Sequence, residues 1–301
     1  MILIVNHSIK GVVSNEETLW SVLERNIPES KGIDTDSLKI PIKEKIDELK
    51  PELILQNANL GKISDYTTVS FLQDPFIEMI KKCQPMSMLL RAKLRGRETF
   101  QDKLKKQKES LKNSIRVTNS NYMANMYNEI ADFRVIPLGV DSELFHPMDK
   151  IKMRNKHNIP KNNTVKIFVG SQHQVKGFEK IIKMINEDPT VFWILVLKDN
   201  KILDGHNYKV FSKISQNVLS ELYNCADVCV SRSITESFGL SLVESMFCNI
   251  PVDVPKIGIF WDWEPNMERP REEAFKKKLD LKKFVENWKI FLKDTSTDYK
   301  N

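Results

Sequence analysis

The sequence has no long apolar run and few cysteines. No apolar run approaches the roughly 18 residues of a membrane-spanning helix, and Met1–Val5 is too short for a signal peptide and lacks a basic leader. The four cysteines show no C-x-x-C spacing, which disfavours a zinc site or a redox pair. The 301 residues are enough to bury a large core without such links. We therefore expect a cytoplasmic protein with reduced thiols.

The charge balance is mildly basic. Lysine and arginine number 46 against 40 acidic residues, and the hydrophobic content of 41% excludes wholesale disorder. The stretch Arg91–Lys112 is the most basic, with 9 cations against 3 acids. It has two interpretations: a solvated helix face, or an amphipathic surface helix that makes peripheral contact with an anionic membrane or acceptor. It has no interleaved aromatics and no nucleic-acid-binding motif, so we expect no nucleic-acid partner.

Short apolar segments alternate with helical patterns along the chain. The segments show no strict period of two, which is typical of parallel strands that are covered on both faces. The pattern restarts after about residue 145, and two prolines and a glycine interrupt it near Pro137–Pro147. We predict two Rossmann-like α/β domains, residues 1–140 and 141–301. A helix over Glu272–Lys293 carries apolar residues mostly on one face, and it docks either on its own domain or back on the first.

Chemistry-bearing residues are concentrated in Ser231–Ser245 (SRSITESFGLSLVES). The pattern predicts a strand ending near Ser231, a loop with Glu236, and a helix that starts near Phe238 and carries Glu244. The first amides of a helix have no partner within the helix and lie at its positive end, so they can hold a diphosphate. Both acids can then face one cleft and meet hydroxyls on either side of the phosphates. The alternative is an ordinary βα turn with two solvated carboxylates.

The spacing of Glu236 and Glu244 resembles the E-x7-E signature of retaining glycosyltransferases of family 4, which have the GT-B fold of two Rossmann-like domains facing across a cleft. Four further segments are similar to family motifs in the same order. They are VTNS at Val117–Ser120, VIPLGVD at Val135–Asp141 with the following LFHP, FVGS with VKGF between Phe168 and Phe178, and LYNCADVCV at Leu222–Val230.

The resemblance implies roles for matching residues. Glu244 would bind the ribose hydroxyls, Glu236 would touch the donor sugar near the reacting carbon, and Lys176 would neutralise the leaving diphosphate. Other positions expected to bind donor or acceptor are Gly11 in the first loop, Gln73 and Asp74 after the fourth strand, Gly170 and Ser171 in the phosphate turn, and the amides of Phe238, Gly239 and Leu240.

Several positions depart from the family pattern. Ser171 stands where the family has an arginine, and Arg232 either replaces that cation from the other side or is a surface arginine. Gln73 and Asp74 stand where the family often has a histidine. Gln73 would hydrogen-bond a sugar, whereas Asp74 would orient an acceptor, act as a weak base or cap the next helix. The first loop is poor in glycine, having only Gly11.

The predicted function is transfer of a sugar from a nucleotide-diphospho-sugar to an acceptor hydroxyl, with retention of configuration and without a metal or other cofactor. The acceptor is a saccharide, a lipid-linked molecule or a protein. Base selection would involve backbone around Phe211–Ile214. Two alternatives share the fold: a nucleotide-sugar epimerase, and a non-catalytic module that binds nucleotide sugars.

Overall fold

The computed structural model describes residues 1–6, 15–35, 38, 40–83, 98–112, 114–198, 206–262 and 269–298. The strands are β1 Ile2–Asn6, β2 Ser30–Asp34, β3 Leu53–Asn57, β4 Thr68–Leu72, β5 Ile115–Thr118, β6 Arg134–Val135, β7 Val165–Gly170, β8 Phe192–Leu197, β9 Tyr208–Ser212, β10 Val228–Val230 and β11 Val252–Asp253. The helices are α1 Asn15–Asn26, α2 Ile42–Leu49, α3 Phe76–Cys83, α4 Phe100–Lys112, α5 Asn121–Met126, α6 Lys150–His157, α7 Phe178–Glu187, α8 Gln216–Cys225, α9 Leu240–Phe247, α10 Arg269–Lys278 and α11 Leu281–Asp298.

The first unit contains a six-stranded parallel sheet in the order β2-β1-β3-β4-β5-β6. Every residue of β3 and of β4 is buried. This burial on both faces explains why the sequence of these strands lacks alternation, and it confirms the predicted parallel sheet. The edge strand β2 was missed because its sequence, SKGID, is polar and only partly buried.

The second unit contains a five-stranded parallel sheet in the order β11-β10-β7-β8-β9. From β7 the chain passes to β8 and β9 on one side, and then returns to place β10 and β11 on the other. β7 and β10 are neighbours in the sheet. The chain therefore leaves their carboxyl ends in opposite directions, toward β8 from β7 and toward β11 from β10. In open α/β sheets, this reversal of strand order is where ligands bind.

The two units divide the chain near the predicted boundary. One comprises Met1–Pro137 together with α11 from Lys282 onward, and the other comprises Leu138–Leu281. The predicted single helix over Glu272–Lys293 is two helices, because Val140 pairs with Asp280 between them. Phe275 packs on the core of the second unit. In α11, Trp288 packs edge-on against Phe71 of the first unit, so α11 crosses back to that unit instead of staying with the second.

The four cysteines, Cys83, Cys225, Cys229 and Cys248, are all buried and unpaired with one another. Burial raises the pKa of the Cys229 and Cys248 thiols to about 12. In the structure all four are free thiols that belong to the buried core.

Candidate active site

The loops after β7 and β10 touch through their backbones. The loop after β7 contains a single turn of 3-10 helix, Gln174–Lys176, followed by Gly177. The amide of Ile234 donates to the carbonyl of Val175 at 2.8 Å. Gly177 has φ of 65°, and a Cβ at this position would lie 1.9 Å from the carbonyl oxygen of Arg232. Only glycine permits this approach, which brings Lys176 beside the loop that carries Glu236.

Glu236 is held by a cation and a hydroxyl. Lys176 Nζ donates to Glu236 Oε1 at 2.7 Å, and Ser233 Oγ donates to the same oxygen at 2.7 Å. The Glu236 side chain is 15% exposed and that of Lys176 35%. Within the described part of the chain, Glu236 Oε2 has no hydrogen-bond partner. The carboxylate is therefore anchored through one oxygen and can accept a hydroxyl through the other.

Helix α9 begins immediately after Gly239, which has φ of 94°. No side chain caps this end of the helix, and the first amides to bond back are those of Leu242 and Val243, both to Gly239. The amides before them lie at the positive end of the helix and favour an anion. The amides of Phe238, Gly239 and Leu240 lie at this end of α9.

A second anchor for this turn was missed by sequence reasoning. The amide of Ile259 donates to the carbonyl of Phe238 at 2.9 Å. Gly258 has φ of 60°, and a Cβ there would lie 2.5 Å from the Phe238 carbonyl oxygen. The ring of Phe260 lies 3.4 Å from the Cβ position of Gly239. In the sequence, the glycine at position 258 was the one indication of a close backbone approach here.

Glu244 lies inside the second unit, with 3% of its surface exposed. The hydroxyl of Tyr223, itself fully buried, donates to Glu244 Oε2 at 3.0 Å. Burial raises the pKa of Glu244 to about 8, although the hydrogen bond from Tyr223 acts in the opposite direction. The sequence predicted that both carboxylates can face one cleft. The structure gives them different environments, because Glu244 is buried on α9 against Tyr223 of α8, whereas Glu236 lies in the loop before α9 beside Lys176.

Arg232 is committed to another partner. Its guanidinium forms a two-pronged ion pair with Asp253, through Nη1 to Oδ1 at 3.0 Å and Nη2 to Oδ2 at 2.6 Å. Nη1 also donates to the carbonyl of Ser231 at 2.8 Å. These contacts tie the end of β10 to β11, so they do not support Arg232 as a replacement for the family's phosphate-binding arginine. Lys176 is the cation that contacts Glu236.

The other predicted residues are distributed over both units. Gly170 ends β7, where its carbonyl accepts from the amide of Lys198 at 3.3 Å, and Ser171 follows it in the same loop as Lys176. Gln73 is buried after β4 and accepts a bond of 3.4 Å from Asn57. The carboxylate of Asp74 accepts from Asn59. Gly11 lies outside the described residues.

The described ranges contain no group of three or more His, Cys, Asp or Glu side chains placed to hold a metal ion. Within the same ranges, no helix is long and apolar enough to cross a membrane.

Part of the second unit matches a known family. Residues 149–262 match the family model of glycosyl transferases group 1. The D-inositol 3-phosphate glycosyltransferase of Acidothermus cellulolyticus is 23% identical over 165 residues, which cover 47% of this chain and 37% of that protein. The protein of the same name from Segniliparus rotundus is 28% identical over 142 residues, covering 41% and 32%. The match thus spans about a third of the length of these relatives.

Whole-chain similarity is seen with solved structures. Sucrose-phosphate synthase from Thermosynechococcus elongatus has a TM-score of 0.75 at 15% identity, and the match covers 99% of both chains. Anabaena Alr3699/HepE in complex with UDP-glucose has a TM-score of 0.73 at 16% identity, covering 97% of this chain and 99% of that one. These neighbours confirm the predicted GT-B fold. Residues 149–262 are thus similar to glycosyl transferases group 1, and the whole chain shares the fold of these solved structures.

Proposed function

We propose that this protein transfers a sugar, with retention of anomeric configuration, from a nucleotide-diphospho-sugar to an acceptor hydroxyl. The donor class is proposed by analogy with the neighbour solved with UDP-glucose. The acceptor would be a saccharide, a lipid-linked molecule or a protein, and the reaction would need no metal. The observation that carries the proposal is the pair of carboxylates flanking an uncapped helix start, with Lys176 beside the first of them.

The two acids suit the two alcohol-bearing parts of such a donor. Glu244 is buried and accepts one hydrogen bond, from Tyr223 to Oε2; among the described residues its Oε1 has no partner. A ribose hydroxyl would supply the missing donor. Glu236 likewise offers Oε2, and a hydroxyl of the transferred sugar would donate to it. Between them, the amides of Phe238, Gly239 and Leu240 would bind the diphosphate.

Charge develops on the diphosphate as the donor reacts. The bond between the anomeric carbon and the phosphate oxygen breaks, and its electron pair remains on the phosphate. The acceptor oxygen forms the new bond on the same face of the sugar, and its proton passes to the departing phosphate oxygen. Lys176 and the positive end of α9 would stabilise this charge more in the transition state than in the ground state, which accelerates the reaction.

The test is nucleotide release from a panel of UDP-, GDP-, ADP- and dTDP-sugars, with and without candidate acceptors. Lys176→Met should lower turnover by about 100- to 1000-fold, the usual cost of losing one such charge-stabilising donor. Lys180→Met, at an exposed position of α7, is the matched control and should behave like the parent. Isomerisation without release would instead identify an epimerase, and tight binding without turnover a non-catalytic module.

A further inference from the structure

We propose that Ser233 is a positioning residue that sets which oxygen of Glu236 meets the donor sugar. By holding Oε1 it leaves Oε2 as the acceptor for a sugar hydroxyl. This inference rests on the function proposed above and assigns a residue to the recognition of the sugar within it.

The lysine alone does not select an oxygen. The ammonium of Lys176 is a compact charge on a flexible stem, and it can pair with either carboxylate oxygen or bridge both. The Ser233 hydroxyl carries a single proton on a short side chain, and it reaches Oε1 at 2.7 Å. Because both donors meet on the same atom, the serine fixes the rotation of the carboxylate plane about its last bond.

The proton of Ser233 is itself oriented. Ser231 Oγ donates to Ser233 Oγ at 3.2 Å, and in turn accepts from the amide of Ser233 at 3.2 Å. The neighbouring hydroxyl thus occupies a lone pair of Ser233 and directs its proton toward Glu236. Ser233 is 5% exposed, so water competes little for this bond.

The backbone around Ser233 is fixed independently of its side chain. The amide of Ile234 bonds to Val175, and Gly177 packs against the carbonyl of Arg232. Removing the hydroxyl therefore should leave the loop in place and release only the carboxylate. Glu244 is held by a different residue, Tyr223, so nucleotide affinity should not depend on Ser233.

The experiment compares Ser233→Ala with Ser220→Ala. Ser220 is also buried, and its hydroxyl donates to the Leu144 carbonyl at 2.7 Å, so its loss controls for removing a buried hydrogen bond elsewhere. We expect kcat for Ser233→Ala to fall about 10- to 100-fold, the range for a hydrogen bond to a charged group. Affinity for the free nucleoside diphosphate should stay within about twofold of the parent. Ser233→Thr, which keeps the hydroxyl, should restore turnover.

A double-mutant cycle separates positioning from a structural effect. In a Glu236→Ala background, Ser233→Ala should cause no further loss of kcat, because there is no carboxylate left to orient. Additive losses, or an active parent whose Ser233→Ala variant behaves like Ser220→Ala, would overturn the role of Ser233 alone. A parent that releases no nucleotide from any donor would overturn the proposed function and the role of Ser233 with it.

Discussion

Glu236 and Glu244 come from one loop and the helix after it, but they have opposite electrostatic surroundings. Glu236 is paired with a cation and is partly exposed. Glu244 is buried, and its partner is the neutral hydroxyl of Tyr223. Burial without a neighbouring cation favours the protonated form of Glu244. The two residues are therefore suited to different parts of a ligand.

Alanine substitutions should separate the two roles. Glu244→Ala is expected to weaken binding of the free nucleoside diphosphate by about tenfold or more, since a buried acceptor for a ribose hydroxyl is lost. Glu236→Ala should leave that affinity nearly unchanged and lower turnover of the sugar donor. Calorimetric titration and nucleotide release measure the two quantities. Parent-like binding and turnover in both variants would show that the site is assigned wrongly.

The buried carboxyl also makes stability depend on pH. Burial raises the folded-state pKa of Glu244 to about 8, from an ordinary value of 4.5. Between these values the unfolded chain gives up this proton while the folded protein keeps it, so stability falls as pH rises through this window and levels off above it. Glu244→Gln, which has no proton to lose, should be more stable relative to the parent at pH 8 than at pH 5.

Denaturant unfolding at both pH values measures this difference. A free-energy difference between parent and Glu244→Gln that is the same at pH 5 and pH 8 would contradict a protonated Glu244. Such a result would place an unrecognised cation beside the carboxyl group.

The acids of the candidate site and Lys176 were predictable from sequence, but Tyr223 and Asp253, which pair with Glu244 and Arg232, were not. Glu236, Glu244 and Lys176 stand out through spacing and through their places at the ends of predicted elements. Tyr223 lies 21 residues from Glu244, on a different helix, and Asp253 lies 21 residues from Arg232. Such pairings follow from the order of strands in the sheet, which local patterns do not encode. The sequence left Arg232 as either a replacement cation for the phosphates or a surface arginine, and the structure pairs it with Asp253.

Helix α11 stabilises the unit at the other end of the sequence. Trp288 is completely buried, and its ring centroid lies 5.5 Å from that of Phe71 on β4. Arg134 of β6 lies over the ring of Phe291. The apolar stripe in the sequence predicted that this helix docks, and left both domains open as its partner. Which domain the helix docks on depends on the course of the chain after the break at Asp280. The apolar stripe in the sequence does not encode that course.

Truncation of the buried tryptophan should therefore destabilise the first unit. Trp288→Ala is expected to cost about 3–5 kcal/mol in the free energy of unfolding, through lost burial and the cavity left behind. Ile290→Ala is a matched control on the same helix, because Ile290 is 46% exposed, and it should change stability by less than about 0.5 kcal/mol. Equal effects of the two substitutions in denaturant unfolding would contradict the docked position of α11.

Helix α4 fixes the loop that carries Gln73 and Asp74. Gln107, fully buried on α4, donates to the carbonyl of Asp74 at 3.1 Å and to Asn59 Oδ1 at 2.8 Å. The hydroxyl of Tyr127 also reaches the Asp74 carbonyl, at 3.0 Å. Asp74 thus belongs to a hydrogen-bonded network at the carboxyl end of β4. Gln107 is one polar residue in a lysine-rich helix, so the sequence did not predict its contact with Asp74.

The two-sheet architecture of the molecule was the most predictable feature. Uninterrupted apolar strands such as LILQN and TVSFL alternate with helices, and this combination permits few structures other than parallel sheets covered by helices. Short edge strands and segments with mixed polarity, such as β2, were not predicted because their burial is incomplete. Physical pattern therefore predicts the interior of each unit better than its margins.

The basic stretch Arg91–Lys112 is the part of the molecule for which contact with a membrane can be tested. Only residues 98–112 of it are described, and there Lys106 pairs with Glu98 and Lys103 lies over the ring of Phe76. If the other basic side chains of this stretch bind an anionic membrane, the protein should sediment with anionic liposomes and not with neutral ones. Sedimentation should be weaker at high salt. Replacing Lys105, Lys108 and Lys112 by Gln should then reduce sedimentation. Equal binding to both liposome types, or none, would leave a solvated helix face.

The most direct measurement is a crystal structure with an activated sugar bound. We expect the diphosphate at the start of α9, against the amides of Phe238, Gly239 and Leu240, with Glu244 on the ribose and Glu236 on the transferred sugar. Lys176 should then lie within reach of the phosphate oxygens. A donor bound elsewhere, with the start of α9 free of ligand, would contradict the central claim.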